Sequence, residues 1–239
     1  MKVVPEGEKF AYIPKMNTKS FYGFVGLKNL GCICYMNAML QQFFMTPTFR
    51  YAILMANDNL DPEMVEVKKF GMVDDNPLHQ LRRMFGFLEA SDRQDYNPSG
   101  FCHSFKDWGG NPVNVSIQQD AQEFLNQIFE KLENGLKITP FSRILEGVYG
   151  GQKRYTTVCK NCGNVSTRDE LFYNVSLQIK NYENIYEALG EYIKMETISD
   201  YRCDACTLKV DITRRGSIQK LPNVMIVHLQ RLVFDLETL

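Results

Sequence analysis

The spacing of apolar positions changes about halfway along the chain, and with it the kind of element predicted. In the first half the period is helical. Within GFVGLKNLGCICYMNAMLQQFFM a glycine-bearing loop runs into an apolar periodic stretch. Met36, Met39, Leu40, Phe43 and Phe44 fall on one stripe, which predicts a buried helix beginning near Cys34. Pro47, after Thr46, predicts the start of a second, short helix. Asn57 to Asn76 is polar and irregular and predicts a surface loop. Leu78, Leu81, Phe85 and Leu88 return to helical spacing, and GFCHSFKDWGGNP, dense in glycine and turn residues, predicts a loop. Ser116 followed by Gln119 predicts a capping box for the next helix, with Ala121, Phe124, Leu125, Ile128 and Leu132 as its apolar stripe.

After Gly135 the pattern shifts towards strands. In LFYNVSLQIK, Tyr173, Val175, Leu177 and Ile179 alternate with polar neighbours, as a half-buried strand requires. Asn184 and Glu187 can cap one more short helix, with Ile185, Leu189 and Ile193 inward. LPNVMIVHLQRLVF reads as a strongly apolar strand, and no internal repeat or low-complexity tract is present. A helical front followed by a strand-rich back predicts an α+β fold.

The 239 residues suffice for one substantial domain or two small ones. A formal net charge of -1 without a basic stripe argues against a nucleic-acid partner. No apolar run approaches the ~18 residues of a membrane span. The opening MKVVPEGEKFAYIPK has no apolar h-region and no small-residue cleavage site, so a cytoplasmic or nuclear location is expected. There, seven cysteines are better read as ligands or nucleophiles than as disulfides, and the odd count leaves a free thiol.

Cys34 stands where the predicted loop enters the first helix. Helix N-termini carry partial positive charge and unpaired N–H groups, which favour a thiolate and can hold an oxyanion. Gly26 and Gly31 permit the tight path such a junction needs. On these residues alone a buried structural cysteine remains open beside the nucleophile.

GLKNLGCICYMNAMLQQ resembles the cysteine box of ubiquitin-specific proteases, G-L-x-N-x-G-[NA]-T-C-Y-M-N-S. Gly26, Leu27, Asn29, Gly31, Cys34, Tyr35, Met36 and Asn37 match it, while Cys32, Ile33 and Ala38 depart from it. The resemblance implies a papain-like α+β fold with thumb, fingers and palm. It also implies Cys34 as nucleophile, Asn29 as oxyanion support, and ubiquitin and ubiquitinated proteins as partners. Ile117 to Leu125, IQQDAQEFL, resembles the family's Q-Q-D-A-x-E-F segment. By that likeness Asp120, flanked by Gln118 and Glu123, binds the arginines of ubiquitin's C-terminal tail. A role confined to the helix dipole is the competing reading of Asp120 and Glu123.

CKNCG and CDACT place Cys159, Cys162, Cys203 and Cys206 in two CxxC turns, with the forty residues from Gly163 to Arg202 between them. Four thiolates suit a closed tetrahedral zinc site, and a thioredoxin-like redox role is the competitor. The stretch also resembles the family's fingers, which implies a structural zinc. The implied division is an irregular lead-in over 1–22, then an incomplete catalytic domain over 23–239. Its parts are a thumb over about 23–145, fingers over about 146–220, and the first part of the palm over about 221–239.

Thiol chemistry needs a base. Among the three histidines, His79 is expected on a polar helix face, His103 in a loop, and His228 in a packed strand. The resemblance puts the family's catalytic histidine and its Asp or Asn beyond Leu239. Two expectations follow: a thiol-dependent deubiquitinase that takes its base from elsewhere, or a truncated, non-catalytic, zinc-stabilised ubiquitin-binding module.

Overall fold

The computed structural model describes residues 18–56, 76–107 and 109–231, divided into two units between Pro140 and Phe141. In the first unit, helices α1 (Cys34–Phe44), α2 (Pro47–Met55), α3 (Pro77–Ala90), α4 (Ser99–Ser104) and α5 (Ala121–Leu136) follow one another. The first three begin where the patterning predicts. Pro47 and Pro77 each sit at a helix start, where the missing N–H costs nothing, and Asn76 Oδ1 accepts from the N–H groups of Leu78 and His79. Helix α1 packs on α2 and α5, and α3 packs on α2, α4 and α5. Met36, Leu40, Phe49, Ile53, Leu81, Phe85 and Ile128 are fully buried between them. At about 1.5–3 kcal/mol for each large side chain, this core is what holds the helices. The short parallel pair β1 (Gly26–Leu27) and β2 (Asp95–Tyr96) ties the entry of the cysteine loop to the chain after α3.

Three expectations for this unit are corrected. Helix α5 is capped by Asp120, whose Oδ1 accepts from Gln122 N (2.6 Å) and Glu123 N (3.2 Å). Ser116 lies instead in a turn with its N–H on Asn114 Oδ1. Asp-x-x-Glu is as good a start signal as Ser-x-x-Gln, and a carboxylate accepts more strongly than a hydroxyl. Ala121, placed in the stripe, is exposed, whereas Phe124, Leu125, Ile128 and Leu132 are buried. GFCHS is not loop but part of α4, because burying Phe101, Cys102 and Phe105 outweighs its poor helix propensity. His103 therefore lies on a helix. The loop expected over Asn57–Asn76 falls, except for Asn76, outside the described residues, as do positions 1–17 of the lead-in.

The second unit opens with a short helix that the strand-like patterning after Gly135 misses, α6 (Ile144–Tyr149), with Leu145, Val148 and Tyr149 buried. Strands β3 (Gly151–Cys159), β4 (Val165–Phe172), β6 (Glu196–Arg202) and β7 (Lys209–Lys220) form an antiparallel sheet in the order β4-β3-β7-β6. β5 (Asn174–Gln178) and β8 (Ile226–Gln230) pair in parallel. Val175 and Leu177 on β5 are buried as the alternation predicts, together with Ala188 of helix α7 (Ile185–Tyr192). Asn184 caps α7 as expected, accepting from Tyr186 N and Glu187 N. Ile185, expected inward, is exposed; Ala188, one turn on, takes the buried position.

The faces of the four-stranded sheet carry few buried side chains. Cross-strand ion pairs stand directly opposite in register instead, Arg154 with Asp169 and Arg214 with Glu196. Lys153 is buried, its ammonium over the rings of Tyr155 and Tyr192 and its stem over Gly216, where a Cβ would come within 2.7 Å of its Cε. The sheet is thus joined to α7 by a caged cation.

Candidate active site and metal centre

The loop before α1 is shaped by its own polar groups. Asn29 Oδ1 accepts from Gly31 N (3.2 Å) and Ile33 N (3.3 Å), and its amide donors have no partner among the described residues. Gly31 adopts φ +145, and a Cβ there would stand 2.5 Å from Val115 O, so only glycine fits. The next residue, Cys32, donates its N–H to the same Val115 carbonyl at 2.6 Å. Ile33 is fully buried and anchors the end of the loop. From below, the buried Asn37 donates Nδ2 to Lys28 O at 3.0 Å.

Cys34 is the first residue of α1, and its thiol is exposed. That excludes the buried structural reading left open by the sequence. Its Sγ has one hydrogen-bonding partner among the described residues, Gln118 Nε2 at 4.0 Å. Tyr35, next in the chain, donates its hydroxyl to Gln119 Oε1 at 3.1 Å, and its ring meets Phe124 edge-on at 5.7 Å. Burial pushes the Tyr35 phenol up to about 12, so it stays a donor at any physiological pH. The buried Cys102 thiol is likewise pushed up to about 11 by desolvation, which makes it inert beside Cys34.

The structure thus brings Gln118 and the nucleophile candidate together. Asp120 and Glu123 lie exposed at the start of α5, one as its cap and the other accepting from Gln127 Nε2 at 3.1 Å. Val115 had no role in the sequence reading, Gln119 entered it only as the partner of Ser116 in the expected capping box, and Tyr35 only as a matched motif position. Gln119 and Tyr35 stand within the two matched motifs, but a bond between positions 84 residues apart leaves no trace in spacing. The polar face expected for His79 is half-buried, and His228 Nδ1 lies 3.2 Å from Ser176 Oγ across the parallel strand pair.

In the second unit Cys159, Cys162, Cys203 and Cys206 converge, their four Sγ atoms all within 4.8 Å of one another. Cys159 and Cys206 are 4.0 Å apart and Cys162 and Cys203 3.8 Å. A tetrahedron with metal–sulfur bonds of about 2.3 Å has edges of about 3.8 Å, so the donor set fits such an ion. Two equivalent turns present the thiols. Gly163 N donates to Cys159 O and Thr207 N to Cys203 O, and each turn closes on a positive φ, +70 at Gly163 and +59 at Thr207. Cys162 N–H donation holds the Cys159 thiol below its usual range.

A family profile described as Ubiquitin carboxyl-terminal hydrolase matches residues 25–238. The chain is 32% identical to Ubiquitin carboxyl-terminal hydrolase 9Y of Homo sapiens, over 96% of this chain and 10% of that protein. It is 32% identical to Ubiquitin carboxyl-terminal hydrolase 24 of Mus musculus, over 97% of this chain and 8% of that protein. With Probable ubiquitin carboxyl-terminal hydrolase FAF of Drosophila melanogaster the identity is 30%, over 95% and 10%. The chain therefore spans a tenth or less of the length of these relatives.

Proposed function

The chain belongs to the ubiquitin carboxyl-terminal hydrolase family, with the α+β fold of its ubiquitin-specific protease members, and we propose that it works as a thiol-dependent deubiquitinase. Its substrates in this reading are peptide or isopeptide bonds after ubiquitin's C-terminal glycine. One observation carries the proposal: an exposed thiol on the first residue of a helix, at the end of a loop held by Asn29 and Gly31.

The sulfur of Cys34 attacks the glycine carbonyl, forming the S–C bond. The oxyanion is met by N–H groups at the start of α1 and by the amide of Asn29. A general base takes the thiol proton and passes it to the leaving amine, giving a thioester. Water, deprotonated by the same base, then releases ubiquitin and restores the thiol. Asp120, with Gln118 and Glu123 beside it, holds the cationic tail that leads to the bond; Oδ1 caps α5, and Oδ2 has no partner among the described residues.

Zinc is the metal proposed for Cys159, Cys162, Cys203 and Cys206. With four protein ligands it keeps no open position, so its part is to close the sheet tip. Cys34→Ala in the full-length protein is expected to abolish turnover of a ubiquitin conjugate while ubiquitin still binds. Unchanged turnover would sink the assignment, and binding without turnover in the unsubstituted protein would favour the non-catalytic module.

A further inference from the structure

The segment from Val115 to Gln119 touches the cysteine loop and α1 at three points in succession. Val115 O receives the Cys32 N–H, Gln118 Nε2 reaches the Cys34 sulfur, and Gln119 Oε1 receives the Tyr35 hydroxyl. The first and last contacts fix the segment on either side of the middle one. Gly31 shows how closely it is seated, since no Cβ fits between that residue and Val115 O.

We propose that Gln118 is a catalytic residue that donates a hydrogen bond to the Cys34 sulfur, and that Tyr35 is the positioning residue that holds it there through Gln119. The proposal rests on the reading of Cys34 as nucleophile and gives Gln118 a task other than binding the ubiquitin tail. A neutral thiol is a weak acceptor and a thiolate a strong one, so a donor at this place stabilises the charged form selectively. A carboxamide suits the task because it donates without giving up its proton. It cannot quench the nucleophile as an acid would, and it adds no charge for an incoming cationic tail to meet.

Both Gln118 and Cys34 are solvent-exposed in the chain alone. The contact at 4.0 Å is therefore weakest here and gains once a substrate covers the pair and excludes water. Tyr35 can hold its partner without strain because its ring is already fixed against Phe124. Removing its hydroxyl frees Gln119, and with it the neighbouring Gln118, while leaving the ring contact intact.

The test is the pH profile of Cys34 alkylation by iodoacetamide, read by mass spectrometry on the Cys34 peptide, in the chain and its Gln118→Ala, Gln118→Glu and Tyr35→Phe variants. This readout needs no base and no turnover. Gln118→Ala is expected to move the profile midpoint up by about half to one pH unit, and Gln118→Glu further, because it sets a like charge beside the thiolate. Tyr35→Phe moves it part of the way. The double variant with Gln118→Ala moves it no further than Gln118→Ala alone, since the hydroxyl acts only through Gln118. Gln119→Ala breaks the same latch from its other end and replaces Tyr35→Phe should that variant misfold. A Gln118→Ala profile that overlays the parent profile overturns the proposal. So does a Tyr35→Phe shift that persists in full on top of Gln118→Ala. Turnover of a ubiquitin conjugate by full-length Cys34→Ala sinks the nucleophile reading instead, so the two failures are distinguishable.

Discussion

Around Cys34 the backbone is held by a packed core, whereas around the four clustered cysteines very little apolar surface is buried. Helix α1 sets Met36 and Leu40 at zero exposure into a nest of aromatic rings, Phe43 against Phe49 and Phe129, Phe44 against Phe85. The sheet tip has Ile212 at 1% beside Cys159 and Cys203 at 3% each, and its strands β4 and β6 have no buried side chain among the described residues. A reactive thiol needs surroundings that stay in place without gripping it, and a core beneath a helix start supplies that. A ribbon too thin to have a core can be closed by ligation instead, and its cysteines are then committed to the metal.

The largest expected effect breaks this comparison into its halves. A chelator strong enough to strip the four-thiol site should unfold the tip and spare the helical unit. Structural zinc sites in small peptides contribute about 10–16 kcal/mol of coupled folding and binding. Hydrogen exchange is expected to lose protection over 151–172 and 196–220 and keep it over 34–55. Equal loss in both would mean that the units do not stand on separate supports.

Next in size is Gly31→Ala. Its φ of +145 and the proximity of Val115 O make the substitution strained on two counts. A cost of about 2–4 kcal/mol is expected in urea unfolding of the first unit, with metal content unchanged. A cost under about 0.5 kcal/mol would mean that the loop and the Val115 segment are not seated on each other.

What the sequence showed in advance follows the same divide. The periodic stretches over α1, α3 and the body of α5 were legible because burial imposes a period on many residues at once. The four cysteines were legible because two CxxC turns carry their chemistry locally. Helix α4 was not, since SGFCHS has a glycine, few strong helix formers and only six residues, and it folds through tertiary burial of Phe101. The cap of α5 was misplaced by four residues because Ser116 and Asp120 both begin acceptable signals, and in the fold Ser116 is held in a turn by Asn114 while Asp120 takes the helix N–H groups. The Tyr35–Gln119 and Cys32–Val115 bonds join residues more than eighty positions apart, where no single-chain pattern reaches.

Asp120 allows a smaller but sharper cut, because its observed cap and its proposed tail-binding role meet on one carboxylate. Asp120→Ala is expected to cost about 1 kcal/mol in denaturant, since the Gln122 and Glu123 N–H groups lose their acceptor. Asp120→Asn keeps the cap and should cost almost nothing. Both should weaken binding of a peptide with the arginine-bearing ubiquitin tail, measured by calorimetry. Unweakened binding in both variants would reduce Asp120 to its cap.

The smallest expected effect lies at the sheet tip, where the two thiol-presenting turns differ at one equivalent position. Gly163 closes its turn at φ +70 at no steric cost, while Thr207 closes the other at φ +59 with a branched Cβ. The left-handed region costs an ordinary L-residue about 1–2 kcal/mol. Glycine in its place restores some of that cost through the freedom it adds to the unfolded chain. Thr207 also spends its hydroxyl on Cys206 O at 2.8 Å, a local bond that offsets part of the strain. Thr207→Gly should therefore stabilise the second unit by only about 0.5 kcal/mol, read as a small rise in the chelator concentration needed to unfold the tip. A clear loss of stability would mean that the hydroxyl bond to Cys206 matters more to presenting the thiols than the backbone strain it accompanies.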